Sequence, residues 1–207
     1  TKTILRTLVI VVLSSTVAPA AQQRGILGKP APSLGVSNWI NLPKGKKTID
    51  VLGHRGKVVY LYCFQSWCPA CNSHGFPLLK KVAKHYEGED DVVFLAVQTV
   101  FEGFRTNTAA RAKAVAVGKF KLDIPIGHDA GPDGKRSVVL NRYRTGGTPW
   151  VELIGTKGVV RYNDFGTDVK PADAIRHIDR LRGEGGLVGS ALGGFGKVEF
   201  AGKPFPI

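Results

Sequence analysis

Seven apolar and aromatic residues, Val58-Val59-Tyr60-Leu61-Tyr62-Cys63-Phe64, lead almost directly into Trp67-Cys68-Pro69-Ala70-Cys71. Beyond them Phe76, Leu78, Leu79, Val82 and Ala83 recur at roughly helical spacing, with Lys80, Lys81 and Lys84 between. The first run is too short for a helix and rich in β-branched and aromatic side chains, which predicts a buried strand. The second predicts an amphipathic helix. The two cysteines therefore sit where a strand turns into a helix. Pro69 suits the first helical turn, where a missing N–H costs nothing. Cys68 then lies at the helix N-terminus, where free N–H groups and the positive dipole end favour a thiolate. Cys71 follows one turn later on the same face, within reach of a disulfide. One thiolate that attacks and a second thiol that resolves the mixed disulfide make a redox switch.

Two simpler readings compete with that one. A Cys-x-x-Cys is half of a zinc site, but a four-ligand site needs a second pair, and the only other cysteine is Cys63. Cys63 lies inside the apolar strand, where a free cysteine behaves as a small hydrophobe. A structural disulfide would close a very short loop, and short loops gain least from cross-linking.

The 207 residues, 43% of them hydrophobic, suffice for one domain with a sizeable core. The first twenty are expected to lie outside it. Lys2 and Arg6 precede Leu8-Val9-Ile10-Val11-Val12-Leu13, and Ala18-Pro19-Ala20 supplies a small-x-small cleavage pattern. Residues 1–20 read as an export signal cut before Ala21, with an uncleaved membrane anchor as the second reading. The chain contains no Met, so translation is expected to start upstream of Thr1. Export places the thiols in an oxidising compartment, periplasmic or secreted, with tethering to the membrane if the signal stays in place.

Loss of Lys2 and Arg6 lowers the formal charge from +13 to +11. The cations are scattered along the chain, with no arginine-rich or aromatic-interleaved basic tract, which argues against nucleic acid as a partner. Acidic partner surfaces or anionic lipid headgroups suit this charge better.

The remaining pattern predicts a weak strand at residues 48–51 and a strand over 92–97. Asn107-Thr108 is expected to cap a helix over 109–119, followed by a short strand near 124–126. A helical segment over 137–143 precedes a hairpin of 150–154 and 159–162 around Gly155-Thr156-Lys157-Gly158. A final helix spans 171–182, and a Gly-rich tail occupies 183–207. Alternating strands and helices followed by a hairpin give an α/β sandwich around a mixed sheet.

Four separated signals recur in order: Gly28-Lys29-Pro30-Ala31-Pro32, Arg55-Gly56-Lys57-Val58-Val59, Trp67 through Cys71, and Gly147-Thr148-Pro149. On these residues the chain resembles the TlpA/ResA-type thiol–disulfide oxidoreductases, an exported branch of the thioredoxin-like (redoxin) superfamily. The resemblance covers residues 28–182. It implies a thioredoxin-like α/β fold with an N-terminal extension, and domains at 1–20 (signal), 21–182 (thioredoxin-like) and 183–207 (tail). It further implies that Cys68 is the exposed nucleophile and Cys71 the resolving thiol of a redox-active disulfide. Pro149 would follow a cis bond and face the pair, with Thr148 and Trp67 completing a substrate-binding surface. Protein disulfides are the implied substrates, and a membrane thiol carrier the implied electron donor. No cofactor or metal enters this reading.

The chain also departs from that pattern. His74 stands where many members place a Glu, three residues after the second Cys, and Tyr62 stands where many thioredoxins carry an Asp. The segment His74-Gly75-Phe76-Pro77 is one residue longer before its Pro than usual. His74 is a candidate for tuning the thiols, since imidazole titrates near neutrality, or is a solvated helix residue. Two other function classes share parts of this pattern. A Cu(I)-handling protein would use Cys68, Cys71 and a His such as His74 or His128. A thiol peroxidase would need Pro and Thr or Ser at positions that hold Leu61 and Gln65.

Overall fold

The computed structural model describes residues 24–167 and 169–186. The expected export signal, and the tail beyond residue 186, lie outside these. Six strands form one mixed sheet: β1 (Asn38–Ile40), β2 (Val58–Phe64), β3 (Val92–Thr99), β4 (Ile126–Asp129), β5 (Trp150–Ile154) and β6 (Val160–Phe165). Their order is β1-β4-β3-β2-β5-β6. The pairs β2–β3 and β3–β4 are parallel, and the others antiparallel. This is the thioredoxin-like arrangement that the sequence implies.

Strand β2 lies at the centre, and all seven of its residues are buried. A strand covered on both faces reads as an unbroken apolar run, which is why its sequence carries no alternation. Tyr60, Tyr62 and Phe64 face one layer, formed by α1 (Phe76–His85), α2 (Ala109–Lys113) and α4 (Pro171–Gly186). Val59, Leu61 and Cys63 face the other, formed by α3 (Val138–Tyr143) and by the leader, through Ile26, Leu34 and Val36. The N-terminal extension is thus half of a core layer.

Three expectations need correction. Residues 48–51 form no strand: the Asp50 carboxylate accepts from the Leu52 N–H at 3.0 Å and starts a 3-10 turn, Val51–His54. Its other oxygen accepts from Ser33 Oγ and the Leu34 N–H, both at 2.8 Å, tying the turn to the leader. The leader's strand is instead β1, which closes the sheet edge against β4. Strand β4 starts at Ile126, after Ile124 and Pro125. The last helix continues to Gly186, four residues into the stretch assigned to the tail. Its Arg182 anchors it, with Nε 2.7 Å from Asp91 and an outer nitrogen 2.9 Å from Glu89. Among the described residues no helix is long and apolar enough to cross a membrane.

Candidate active site

The end of β2 delivers the chain into a bracket of buried polar groups. The Ser66 N–H donates to Gln98 Oε1 at 3.1 Å and to Asn107 Oδ1 at 3.0 Å. Asn107 Nδ2 donates in turn to Gln65 Oε1 at 2.7 Å and to the Glu102 carbonyl at 3.0 Å. Asn72 Nδ2 donates to the carbonyls of Ser66 and Cys68, at 3.1 and 3.0 Å. Buried polar groups that are mutually satisfied fix one backbone path, and here that path is the turn carrying the cysteines. The sequence marked Asn107 only as a helix cap. Thr108 is the cap, its hydroxyl accepting from the Arg111 N–H, and Asn107 holds the turn.

Helical backbone begins at Pro69, so Cys68 stands at the helix entrance as expected. Both cysteines are free thiols. Cys68 is 6% exposed and Cys71 fully buried, a narrower opening than the resemblance implies. The Cys71 N–H donates to Cys68 Sγ at 3.2 Å. The Cys71 thiol, kept protonated by burial and then by its bond to the Cys68 sulfur, has its pKa pushed far up. Cys68 moves the other way, to about 6: the Cys71 thiol is the main stabiliser of its thiolate, with the N–H groups of Cys71 and Ala70 adding to it. Loss of water opposes this without reversing it.

From Cys71 to Gly75 the helix widens into a π-helical turn. The Cys71 carbonyl accepts from the N–H of Phe76, five residues on, and from the Tyr62 hydroxyl at 3.4 Å. The segment expected to be one residue longer before Pro77 coincides with this turn. Single wide turns of this kind recur at functional sites. His74 lies within this turn, exposed, with Nδ1 2.7 Å from Ser73 Oγ. A second wide turn, Ala114–Lys119, continues α2. Phe120, just beyond it, stacks on Phe76 with ring centroids 4.6 Å apart.

Across from the thiols, the Thr148–Pro149 bond is cis. The Thr148 carbonyl lies 3.6 Å from Cys68 Sγ and accepts from the thiol. Trp67 is 46% exposed beside the pair. The structure thus gathers Trp67, Cys68, Cys71, Thr148 and Pro149. His128 lies apart, on β4, with Nδ1 2.9 Å from Gln98 Nε2. Among the described residues no group of three His, Cys, Asp or Glu side chains is placed to hold a metal ion.

Cys63 is fully buried on the opposite sheet face, and burial pushes its pKa well up. Near it lies a group that the sequence reading missed. Glu152, inside β5, is fully buried and accepts from Trp150 Nε1 at 2.7 Å, while its Oε2 has no partner. Burial raises its pKa to about 8. A lone Glu in the run Trp150-Val151-Glu152-Leu153-Ile154 was the available signal. Positions 62 and 74 hold Tyr and His, and Glu152 lies across the sheet from the thiols.

No protein-family model matches this chain, and no curated protein does. Solved structures do. The crystal structure of a thioredoxin-like superfamily protein is 33% identical, covering 75% of this chain and 97% of its own, with a TM-score of 0.67. A thiol-disulfide isomerase from Corynebacterium glutamicum is 29% identical over 73% of this chain and 96% of its own, at 0.63. A secreted disulfide oxidoreductase of Mycobacterium tuberculosis, 22% identical over 64% of this chain and 87% of its own, at 0.50, shares the fold. Cys68 and Cys71 lie close together in a Cys-x-x-Cys motif, and the chain belongs to the thioredoxin-like superfamily as a thiol–disulfide oxidoreductase.

Proposed function

We propose that this chain is an exported, TlpA/ResA-type reductant of protein disulfides, with Cys68 as nucleophile and Cys71 as resolving thiol. The observation that carries the proposal is the asymmetry of the pair. Cys68 Sγ is held between the Cys71 N–H at 3.2 Å and the Thr148 carbonyl at 3.6 Å, while Cys71 is fully buried. The Cys68 thiolate attacks one sulfur of a client disulfide, and the client's other sulfur leaves as a thiolate. The mixed disulfide removes the negative charge beside Cys71, so the second thiol gives up its proton more readily. Cys71 then attacks the Cys68 sulfur, the client leaves with both its sulfurs reduced, and Cys68–Cys71 is oxidised. Two electrons pass to the client, and a membrane thiol carrier restores the dithiol. Trp67, Thr148 and Pro149 line the approach, Thr148 pairing with client backbone. The signal-like residues 1–20 support export, and the Corynebacterium neighbour's name supports the reaction class.

The direction rests on how far the thiolate is stabilised. A Cys68 pKa of about 6 is closer to the value near 7 of thioredoxin than to the roughly 3.5 of strong dithiol oxidants. That supports a donor role for the pair. Equilibration with glutathione should give a potential nearer the about −270 mV of thioredoxin than the about −120 mV of those oxidants. A value at the oxidising end would overturn the direction. In the same protein, Cys71→Ser should accumulate mixed disulfides with clients, and full turnover by that variant would remove the resolving role.

A further inference from the structure

An open groove of about 450 Å³ lies along the segment that precedes Thr148, lined by Phe101, Lys135, Arg136, Leu140 and residues 145–147. Its floor is the segment that runs directly into Thr148, whose carbonyl is 3.6 Å from Cys68 Sγ. An extended chain advances about 3.3 Å per residue. A client strand lying along this segment with its cysteine at Cys68 therefore places flanking side chains in the groove. The glycines bring the floor down onto its neighbours: a β-carbon at Gly146 would lie 2.8 Å from the Arg24 side chain and 3.0 Å from both Trp150 and Phe165.

The walls combine apolar surface with positive charge. Phe101 is half-buried, Leu140 is buried, and Lys135 and Arg136 are exposed. Among the described residues neither cation has an ion-pair partner, whereas Lys84, Arg161, Arg176 and Arg182 each do. The loop that carries the two cations is anchored at both ends. The buried Asp129 carboxylate accepts from the Gly131 N–H at 3.0 Å, Ser137 Oγ at 2.6 Å and the Val139 N–H at 2.8 Å. The Ser137 N–H donates to the Val100 carbonyl at 2.8 Å, fastening the end of this loop beside Phe101. Two acids lie on the neighbouring loops and keep their charge: Glu102 accepts from Gln65 Nε2 at 3.4 Å, and Asp133 from the Lys135 N–H at 3.0 Å. The loop after Phe101 also reaches Trp67. A β-carbon at Gly103 would sit 3.1 Å from Trp67 Nε1, and Phe104 is 45% exposed, like Trp67.

We propose that this groove selects clients, taking an Asp or Glu side chain within three residues of the client's reacting cysteine, with apolar residues beside it. The proposal rests on the thiol-exchange reading above. It assigns Lys135 and Arg136 to the carboxylate, and Phe101 and Leu140 to the apolar flank. Charge placed this way raises the encounter rate and rejects clients of the wrong sign.

The test uses the reduced protein and three peptides of one sequence, each with a single Cys activated as its 2-pyridyl disulfide and flanked by Asp, Asn or Lys. Attack by Cys68 joins it to the peptide sulfur, breaks the reagent's S–S bond and releases pyridine-2-thione, which is followed by absorbance. The second-order rate should fall from Asp to Asn to Lys, by roughly fivefold overall at low salt, and the spread should collapse in 0.5 M NaCl. The Lys135→Glu/Arg136→Glu variant should reverse the order. Equal rates for the three peptides in the parent protein would overturn the proposal. So would an unchanged Asp preference, or a uniform slowing, in the variant. Exchange of the parent with 2,2′-dipyridyl disulfide separates the two readings. Failure there counts against thiol exchange itself, and success without a charge preference counts against the groove alone.

Discussion

The phenol of Tyr62 lies against Gly75, so close that a β-carbon at position 75 would come within 2.1 Å of its oxygen and 2.8 Å of the ring. The two residues belong to different elements, the central strand and the wide turn after Cys71, and their contact fixes how the turn sits on the sheet. In an ordinary exposed helix Gly→Ala gains about 1 kcal/mol. Here the overpacking term dominates, and Gly75→Ala should lower stability by about 1–3 kcal/mol in urea unfolding. Tyr62→Phe in the same chain should recover part of that loss, since it removes the nearest atom and leaves the ring. A stabilised Gly75→Ala would show that the strand and turn are not in contact.

Alkylation of the reduced protein should report the Cys68 thiolate, with a midpoint near pH 6. Because the Cys71 thiol is the largest stabiliser, Cys71→Ala should raise that midpoint by roughly one unit or more. It should not restore the value of a free thiol, because the N–H groups at positions 70 and 71 remain. An unmoved midpoint would leave the backbone donors and Thr148 as the cause.

His74 is exposed and engaged with Ser73. A cationic imidazole near the helix entrance favours a thiolate, but an exposed charge is screened. His74→Ala is therefore expected to raise the Cys68 midpoint by only a few tenths of a unit. A fall in the midpoint would be incompatible with the electrostatic role.

Cys63 is fully buried on the far sheet face. Cys63→Ala should leave disulfide exchange intact and cost about 1 kcal/mol of stability. Rapid labelling of Cys63 in the native oxidised protein would point instead to a three-cysteine mechanism.

Glu152 makes stability depend on pH. Its carboxyl is raised to about 8 in the folded protein from an ordinary value of 4.5. The folded state thus holds a proton that the unfolded chain has released. The stability linked to this group is complete below about pH 4.5 and is lost as pH rises to about 8. At roughly 1.4 kcal/mol per unit the total reaches a few kcal/mol. Glu152→Gln keeps an acceptor for Trp150 and should flatten the fall between pH 5 and 8. An equally steep fall in that variant would assign the slope to other groups.

The sequence reading succeeded where one physical cause dominated. Strand β2 is legible because burial on both faces leaves no room for polar residues, and the Cys68 helix because Pro69 and the Lys-spaced apolar stripe agree. It failed where side chains overrule propensity. Residues 48–51 look like a strand because Thr48, Ile49 and Val51 are β-branched, yet the Asp50 carboxylate captures the backbone first. Strand β1 is three residues long and has no period to read. Asn107 shows its role only when Ser66, forty-one positions away, is brought beside it. Glu152 was hidden by its apolar neighbours, since a single acid in a strand is usually outward-facing.

The wide turn at Cys71–Gly75 also bears on descent. A π-helical turn bonds five residues on where an α-helix bonds four, so the stretch Cys71–Gly75 holds one residue more than an α-helical turn would. Laid against a helix that is α-helical throughout this stretch, the chain opens a one-residue gap there. Residues up to Cys71 and residues from Phe76 onward then follow two different offsets, and His74 falls in the gap between them. The counterpart of a relative's carboxylate is then to be sought by position in space, not by counting from the second cysteine.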